Sequence, residues 1–234
     1  MSVQYSGDKI TFADGSTVAS GWSGFKNRII NGAMMIDQRN AWASVSFASG
    51  VNTYALDRWY VDNATDGAFT IEQVEDAPAG FYQSTKLTVT TADASIGATQ
   101  DAVIQQRIEG LNVTDLNFGT ASAATVTLSF WVKSSLTGVF GGSLMNSAYN
   151  RSYPFSFTIN SANTWEQKSI TIAGDTSGTW LTTNGIGFQL KPWRFSRTFS
   201  HSQCVDYYGG ASTHRLGQSH RHQWRNFAIC RRPA

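Results

Sequence analysis

Seven short segments in which apolar and polar residues alternate, separated by residues that turn a chain, restrict this sequence to a fold built from strands. They are 69–74, 86–90, 103–108, 125–132, 154–159, 165–172 and 186–190. In the clearest of them, Val126, Leu128, Phe130 and Val132 point one way while Thr125, Thr127, Ser129 and Trp131 point the other, because successive side chains of a strand leave on opposite faces. One face is therefore buried against a second layer. Between the segments stand Asp66-Gly67, Pro78-Ala79-Gly80, Gly141-Gly142, Gly174-Asp175 and Asn184-Gly185, residues that tolerate positive φ or pre-set a turn. Strands of this number and spacing predict an all-β antiparallel sandwich. No segment sustains a 3.6-residue period, and 27–39 is read as an irregular first strand.

The composition agrees with that reading. Of 234 residues 41% are hydrophobic and 13% aromatic, enough for a core, while only 15% are charged and 21 are glycine, a balance that favours strands and turns over helices. No apolar run reaches the length of a membrane span, and MSVQYSGDKITF lacks the basic and apolar regions of a secretory signal. The expectation is synthesis in the host cytoplasm without a signal peptide and no membrane insertion. Two cysteines, Cys204 and Cys230, make no disulfide framework, so the Asn-x-Ser/Thr matches at Asn63, Asn112 and Asn150 are read as chance. Residues 1–25 are read as a short N-terminal tether, with a small strand beginning at Lys9, a turn at Asp14-Gly15 and a Ser/Gly-rich connector.

The charge distribution breaks near Leu190. Residues 1–190 hold ten basic and fifteen acidic groups, whereas 191–234 hold eight basic groups, all four histidines, both cysteines and one acid, Asp206. Whole-chain charge therefore describes neither part. The domain reading is a tether over 1–25, a sandwich module over 26–190, incomplete at its C-terminal end, and an irregular, poorly ordered basic tail over 191–234.

Motifs for chemistry are absent or weak. His201, His214, His220 and His222 with the two cysteines offer zinc-type ligands, but in no metal-binding spacing. The tail arginines interleaved with Trp224 and Phe227 resemble a nucleic-acid footprint, yet the reading is no specific nucleic-acid partner. Asp62 to Gly67 lacks ligands at needed places of a calcium loop. Glu75 and Asp76 would point to opposite faces of a strand, and no nucleophile elbow, zincin or phosphate loop occurs. The expectation is no catalytic residues, no metal and no cofactor.

NRIINGAMMIDQRN at 27–40 followed by YALDRWYV at 54–61, then IQQRIEG at 104–110, TLSFWVKSS at 127–135, NTWEQKSITIAGDTSGTW at 163–180 and NGIGF at 184–188, resembles a family of bacteriophage and prophage tail-fibre-like virion structural proteins. ITFADGST at 10–17 is similar to their lead-in. The resemblance spans about 8–190 and rests on the order and spacing of the segments. It implies a jelly-roll-like sandwich similar to carbohydrate-binding modules, a place on the virion tail facing the host, other virion proteins as partners, and a homo-oligomer, a trimer. The family ordinarily closes with a Trp-Thr-rich strand, a VNLIATNGATF-like hairpin and a GVQLE-like strand, none of which follows Leu190. Shifted by one base, permissible codons for 203–212, 217–227 and 230–234 spell NAWTTTEAQ, VNLIATNGAT and AGVQL in that order. The tail is therefore read as a frameshift product, its junction near Leu190 to Trp193, and the truncated sandwich is expected to expose strand edges.

Glycan contact is the functional candidate, because sugar rings pack C–H faces on aromatic rings while polar side chains hold the hydroxyls. Trp42, Trp59, Tyr60, Trp131, Trp165 and Trp180 are the available platforms; Trp59 is assigned to packing, with Asp57 and Arg58 as a local ion pair. Trp42, Tyr149, Asn150 and Arg151, in loop-like surroundings, are the candidate ligand residues. The alternative is a glycan-active enzyme, which carboxylates converging in a cleft would favour, or its free-standing carbohydrate-binding module or accessory domain, which a shallow aromatic face without them would favour.

Overall fold

The computed structural model describes residues 4–6, 9–11, 17–19, 27–196 and 222–224. It is all-β. The lead-in carries three short strands, β1 (Gln4–Ser6), β2 (Lys9–Thr11) and β3 (Thr17–Ala19), paired as an antiparallel meander. The body contains β4 (Val45–Phe47), β5 (Asn52–Leu56), β6 (Trp59–Asn63), β7 (Ala68–Val74), β8 (Ser84–Thr91), β9 (Asp101–Glu109), β10 (Val126–Val132), β11 (Gly138–Met145), β12 (Ser152–Ile159), β13 (Glu166–Ile172) and β14 (Ile186–Ser196); β15 is His222–Trp224. All seven segments expected as strands are strands.

One layer is a six-stranded sheet in the order β12-β11-β14-β9-β6-β5; opposite it lie two three-stranded sheets, β4-β7-β8 and β13-β10-β15. Both pack on the first layer. Phe130 of β10 meets the Phe157 ring of β12 edge-on at 4.9 Å, and Phe69 of β7 meets Trp193 of β14 at 6.2 Å. Val126, Leu128, Phe130 and Val132 all enter the core, as the alternation requires. The two halves of the second layer are tied through Asp76, which accepts from Lys133 Nζ at 2.5 Å and from Trp165 Nε1 at 3.2 Å. Pairing within the body is antiparallel except for the parallel contact of β15 with β10, Val126 opposite His222 and Leu128 opposite Trp224.

Several expectations are corrected. Residues 27–39 form no strand: Arg28, Ile29 and Met34 are buried, and the segment makes turns across the molecule, held by Gln106, which accepts from Ile30 N and donates to Ile30 O. Gly141 and Gly142 are not a turn but lie inside β11. A Cβ on Gly142 would fall on the Lys191 carbonyl and 2.6 Å from the Phe155 ring, so glycine is needed there for close packing rather than for its torsional freedom. Asp57 and Arg58 do not pair; Asp57 Oδ2 accepts from Gln38 N, and Arg58 reaches Glu109.

The compositional break at Leu190 falls inside β14, which continues to Ser196 between β11 and β9. Its register shifts between Leu190 and Trp193, where Pro192 stands in a central strand, a place proline takes at a bulge because it cannot donate to the ladder. Apart from the end of β14 and β15, the tail and its expected poor order lie outside the described residues.

Candidate functional site

The outward face of the six-stranded sheet should be polar and wet, as it has no partner layer among the described residues. It is polar, but its centre is dry. Ladder register places Tyr54 opposite Tyr60 and Tyr60 opposite Gln105. Arg107 stands opposite Gln189, Gln189 opposite Met145, and Lys191 opposite Ser143. The intervening residues Ile104, Ile108, Phe188, Leu190 and Leu144 all belong to the core, so this set points away from it. Gln105 is 1% exposed, Gln189 0% and Ser143 3%.

Seven side-chain polar atoms among the described residues are buried without a hydrogen-bond partner, and four of them lie here: Gln105 Oε1, Arg107 Nε, Ser143 Oγ and Gln189 Oε1. Each such atom costs about 1–3 kcal/mol when neither water nor protein satisfies it. Two acceptor oxygens, one guanidinium donor and one hydroxyl on adjacent strands make a preformed set for a ligand carrying both donors and acceptors.

The surrounding groups fix this set in place. The Arg107 guanidinium carbon sits 4.3 Å from the Tyr60 ring centre, and Tyr60 meets Tyr54 edge-on at 5.2 Å. Arg39 lies over Tyr54 at 5.2 Å. Gln189 Nε2 donates to the Asn146 carbonyl at 2.9 Å, which aims its Oε1. Arg58 is held with φ +72°; it donates to both Glu109 oxygens at 2.7 and 2.8 Å and to the Arg107 carbonyl. Partial burial would raise the Glu109 carboxyl, but hydrogen bonds from Arg58 and Asn112 hold it below its ordinary value.

The four residues expected from sequence fall at the margins of this face. Tyr149, 56% exposed with φ +57°, tops the β11–β12 loop, its ring centre 5.3 Å from Lys191 Nζ. Asn150 accepts from Asn146 Nδ2 through Oδ1. Arg151 is engaged internally, donating to both Asp175 oxygens at 2.7 and 2.6 Å and to Ser177 Oγ, so it pins the loop that carries Tyr149. Asp175 also accepts from Trp180 Nε1, and although burial would raise it, these bonds hold it below the ordinary carboxylate range. Trp42 is 46% exposed with φ +75°, its N–H donating to Asp37 Oδ2. Its loop is anchored to β5 by Asn40, which donates to the Ala55 carbonyl. As β5 and β12 are the two edges of the sheet, Trp42 and the Tyr149 loop stand on opposite sides of it and do not form one cluster. Trp59 and Trp180 are buried.

Sequence reading missed Gln105, Arg107, Ser143 and Gln189. The available signal was the polar residue at alternate places of 103–108 and 186–190, where a solvated face was the simpler account.

No family model matches the chain, and no curated protein matches it. Among solved structures, the enzymatically active domain of tailspike protein 4 of bacteriophage CBA120 is similar over 72% of this chain and 21% of that one, with 14% identity and a TM-score of 0.36. This chain spans about a fifth of the length of that tailspike domain, and an overlay at such a TM-score has no weight for fold or function.

Proposed function

We propose that this chain is a non-enzymatic, tail-fibre-like component of a bacteriophage or prophage particle, assembled as a trimer, whose six-stranded sheet contacts host-surface glycans. The ordered series of segments from 27–40 to 184–188 supports the virion assignment. The observation that carries the glycan reading is the set of four unpartnered polar atoms on Gln105, Arg107, Ser143 and Gln189, bordered by the Tyr54 and Tyr60 rings. A saccharide offers hydroxyls that both donate and accept, and C–H faces that stack on tyrosine. Arg107 is a long chain that a ligand can displace while keeping its charge. Tyr149 and Trp42 serve as outlying platforms at the two edges, and Arg151 and Asn150 hold the Tyr149 loop in shape.

The test is glycan-array binding by the full chain and by Gln189→Ala, Gln105→Ala and Trp42→Ala, with thermal midpoints recorded for each. The expected result is wild-type binding that falls about tenfold or more in each glutamine variant, equivalent to one hydrogen bond of about 1.4 kcal/mol, and less in Trp42→Ala. Wild-type binding that both glutamine variants retain while folded would move the site elsewhere; uniform absence of binding would remove the glycan role.

A further inference from the structure

We infer that the saccharide taken by this face is anionic, and that Arg107 is the residue that receives its acidic group; the inference rests on the glycan reading above. The other arginines of the body are used differently. Arg28 is bound to Asp115, Arg58 to Glu109 and Arg151 to Asp175, each through two donor–acceptor contacts to one carboxylate. Arg39 is exposed. Arg107, at the centre of the sheet on β9, is half-buried and has no carboxylate and no hydrogen-bond acceptor among the described residues; its Nε is shut from water without a partner, as are those of Arg28 and Arg58, so the missing carboxylate is what sets it apart. Glu109, the next residue on the same side of the strand, is saturated by Arg58 and does not neutralise it.

A half-buried guanidinium without a counter-ion keeps its outer N–H groups for a ligand, and its planar fork matches a carboxylate or phosphate in two parallel hydrogen bonds. The Tyr60 ring lies 4.3 Å from its guanidinium carbon, a contact that an incoming acid competes with. Gln105 Oε1, two residues along the strand, and Gln189 Oε1, opposite in the ladder, are fully buried acceptors. They cannot bind an anion, and they accept from hydroxyls beside one only when the side chains over them move aside. A fork for the acid flanked by two hydroxyl acceptors describes a sugar acid or sugar phosphate rather than a neutral sugar or a free inorganic anion.

The experiment uses the full chain on an array of matched neutral, carboxylate-bearing and phosphate-bearing glycans, followed by calorimetry with the strongest binder and with inorganic phosphate. The expected result is a preference of about tenfold or more for an acidic class over its neutral counterpart, weakening as salt rises from about 50 to about 500 mM. Arg107→Gln removes the preference but keeps residual binding of neutral glycans; Arg107→Lys recovers part of it, since it keeps charge without the fork. The carboxylate and phosphate arms identify which acid is read. Binding of neutral and acidic glycans alike, or inorganic phosphate bound as tightly as the glycan, overturns the assignment while leaving the glycan face standing. Absence of binding in all three classes overturns both. Should Arg107→Gln melt well below the wild type, the class preference and salt dependence of the wild type decide.

Discussion

At the scale of single residues, two features of this chain follow from contacts between distant positions. Arg28 is completely buried and donates to Asp115, 87 residues away, and to the Asn112 carbonyl. It fastens the turn-rich segment after residue 27 to the one-turn helices Gly110–Asn112 and Thr114–Leu116. Asp115→Asn leaves that charge without its carboxylate. The expected loss is about 2 kcal/mol, less than for a wholly buried pair because Asp115 is half exposed, read as a lower urea midpoint with unchanged slope. Gly142→Ala drives a methyl group into the Lys191 carbonyl and the Phe155 ring, and since a backbone atom cannot swing aside, the expected cost is about 3 kcal/mol by the same measurement. Reading Gly141-Gly142 as a turn failed for that reason: locally a glycine signals torsional freedom, whereas here it answers a close approach of two strands.

At the scale of elements, β14 decides how the molecule holds together. It lies between β11 and β9 and crosses the change of composition at Leu190 without a break. Trp193, beyond that point, is 2% exposed and packs edge-on against Phe69, which stacks on Phe47. Trp193→Ala should therefore destabilise by about 3–5 kcal/mol, the range for emptying an aromatic site in a core, checked by denaturant unfolding. The frameshift proposed near Leu190 to Trp193 is checked by nucleotide sequencing: family-like segments in the shifted frame support it, and their absence refutes it. Between residues 27 and 196 the strands that escaped sequence reading are β4, β5, β6 and β11. The first is three residues long, β5 and β6 are joined through the charged pair Asp57-Arg58, and β11 is rich in glycine, so each lacks the length or alternation that marks a strand.

At the scale of the whole molecule, carboxylates pin the loops and make stability depend on acid. Burial would raise Asp76, Glu109 and Asp175, yet hydrogen bonds from Lys133, Arg58 and Arg151 respectively, with others, hold all three below their ordinary values of 3.8, 4.5 and 3.8. Glu166, bonded first by Lys168 and then by the Ser161 and Asn160 backbone, is lowered to about 2. A carboxyl lowered by folding stabilises the folded state above its unfolded value, and that contribution fades as pH falls through the folded one. The guanidinium midpoint should thus be flat from about pH 5 to 8, decline below about 4.5, and keep falling toward about 2. A midpoint that rises on acidification would contradict these pairings.

Alternation alone determined that this chain is all-β, which residues of 125–132 face the core, and that two layers must stack, because a strand's side chains divide between faces with a period of two whatever the strand's neighbours are. Loop-like surroundings singled out Trp42 and Tyr149 as exposed aromatics, as both are. Only the tertiary structure decided which buried polar groups are left without partners. Gln105, Arg107, Ser143 and Gln189 come from three strands and span 84 positions of sequence, and what distinguishes them is the lack of a partner once buried. That property belongs to no residue by itself: it arises when strand order sets polar groups side by side at the centre of a face, beneath their neighbours' side chains.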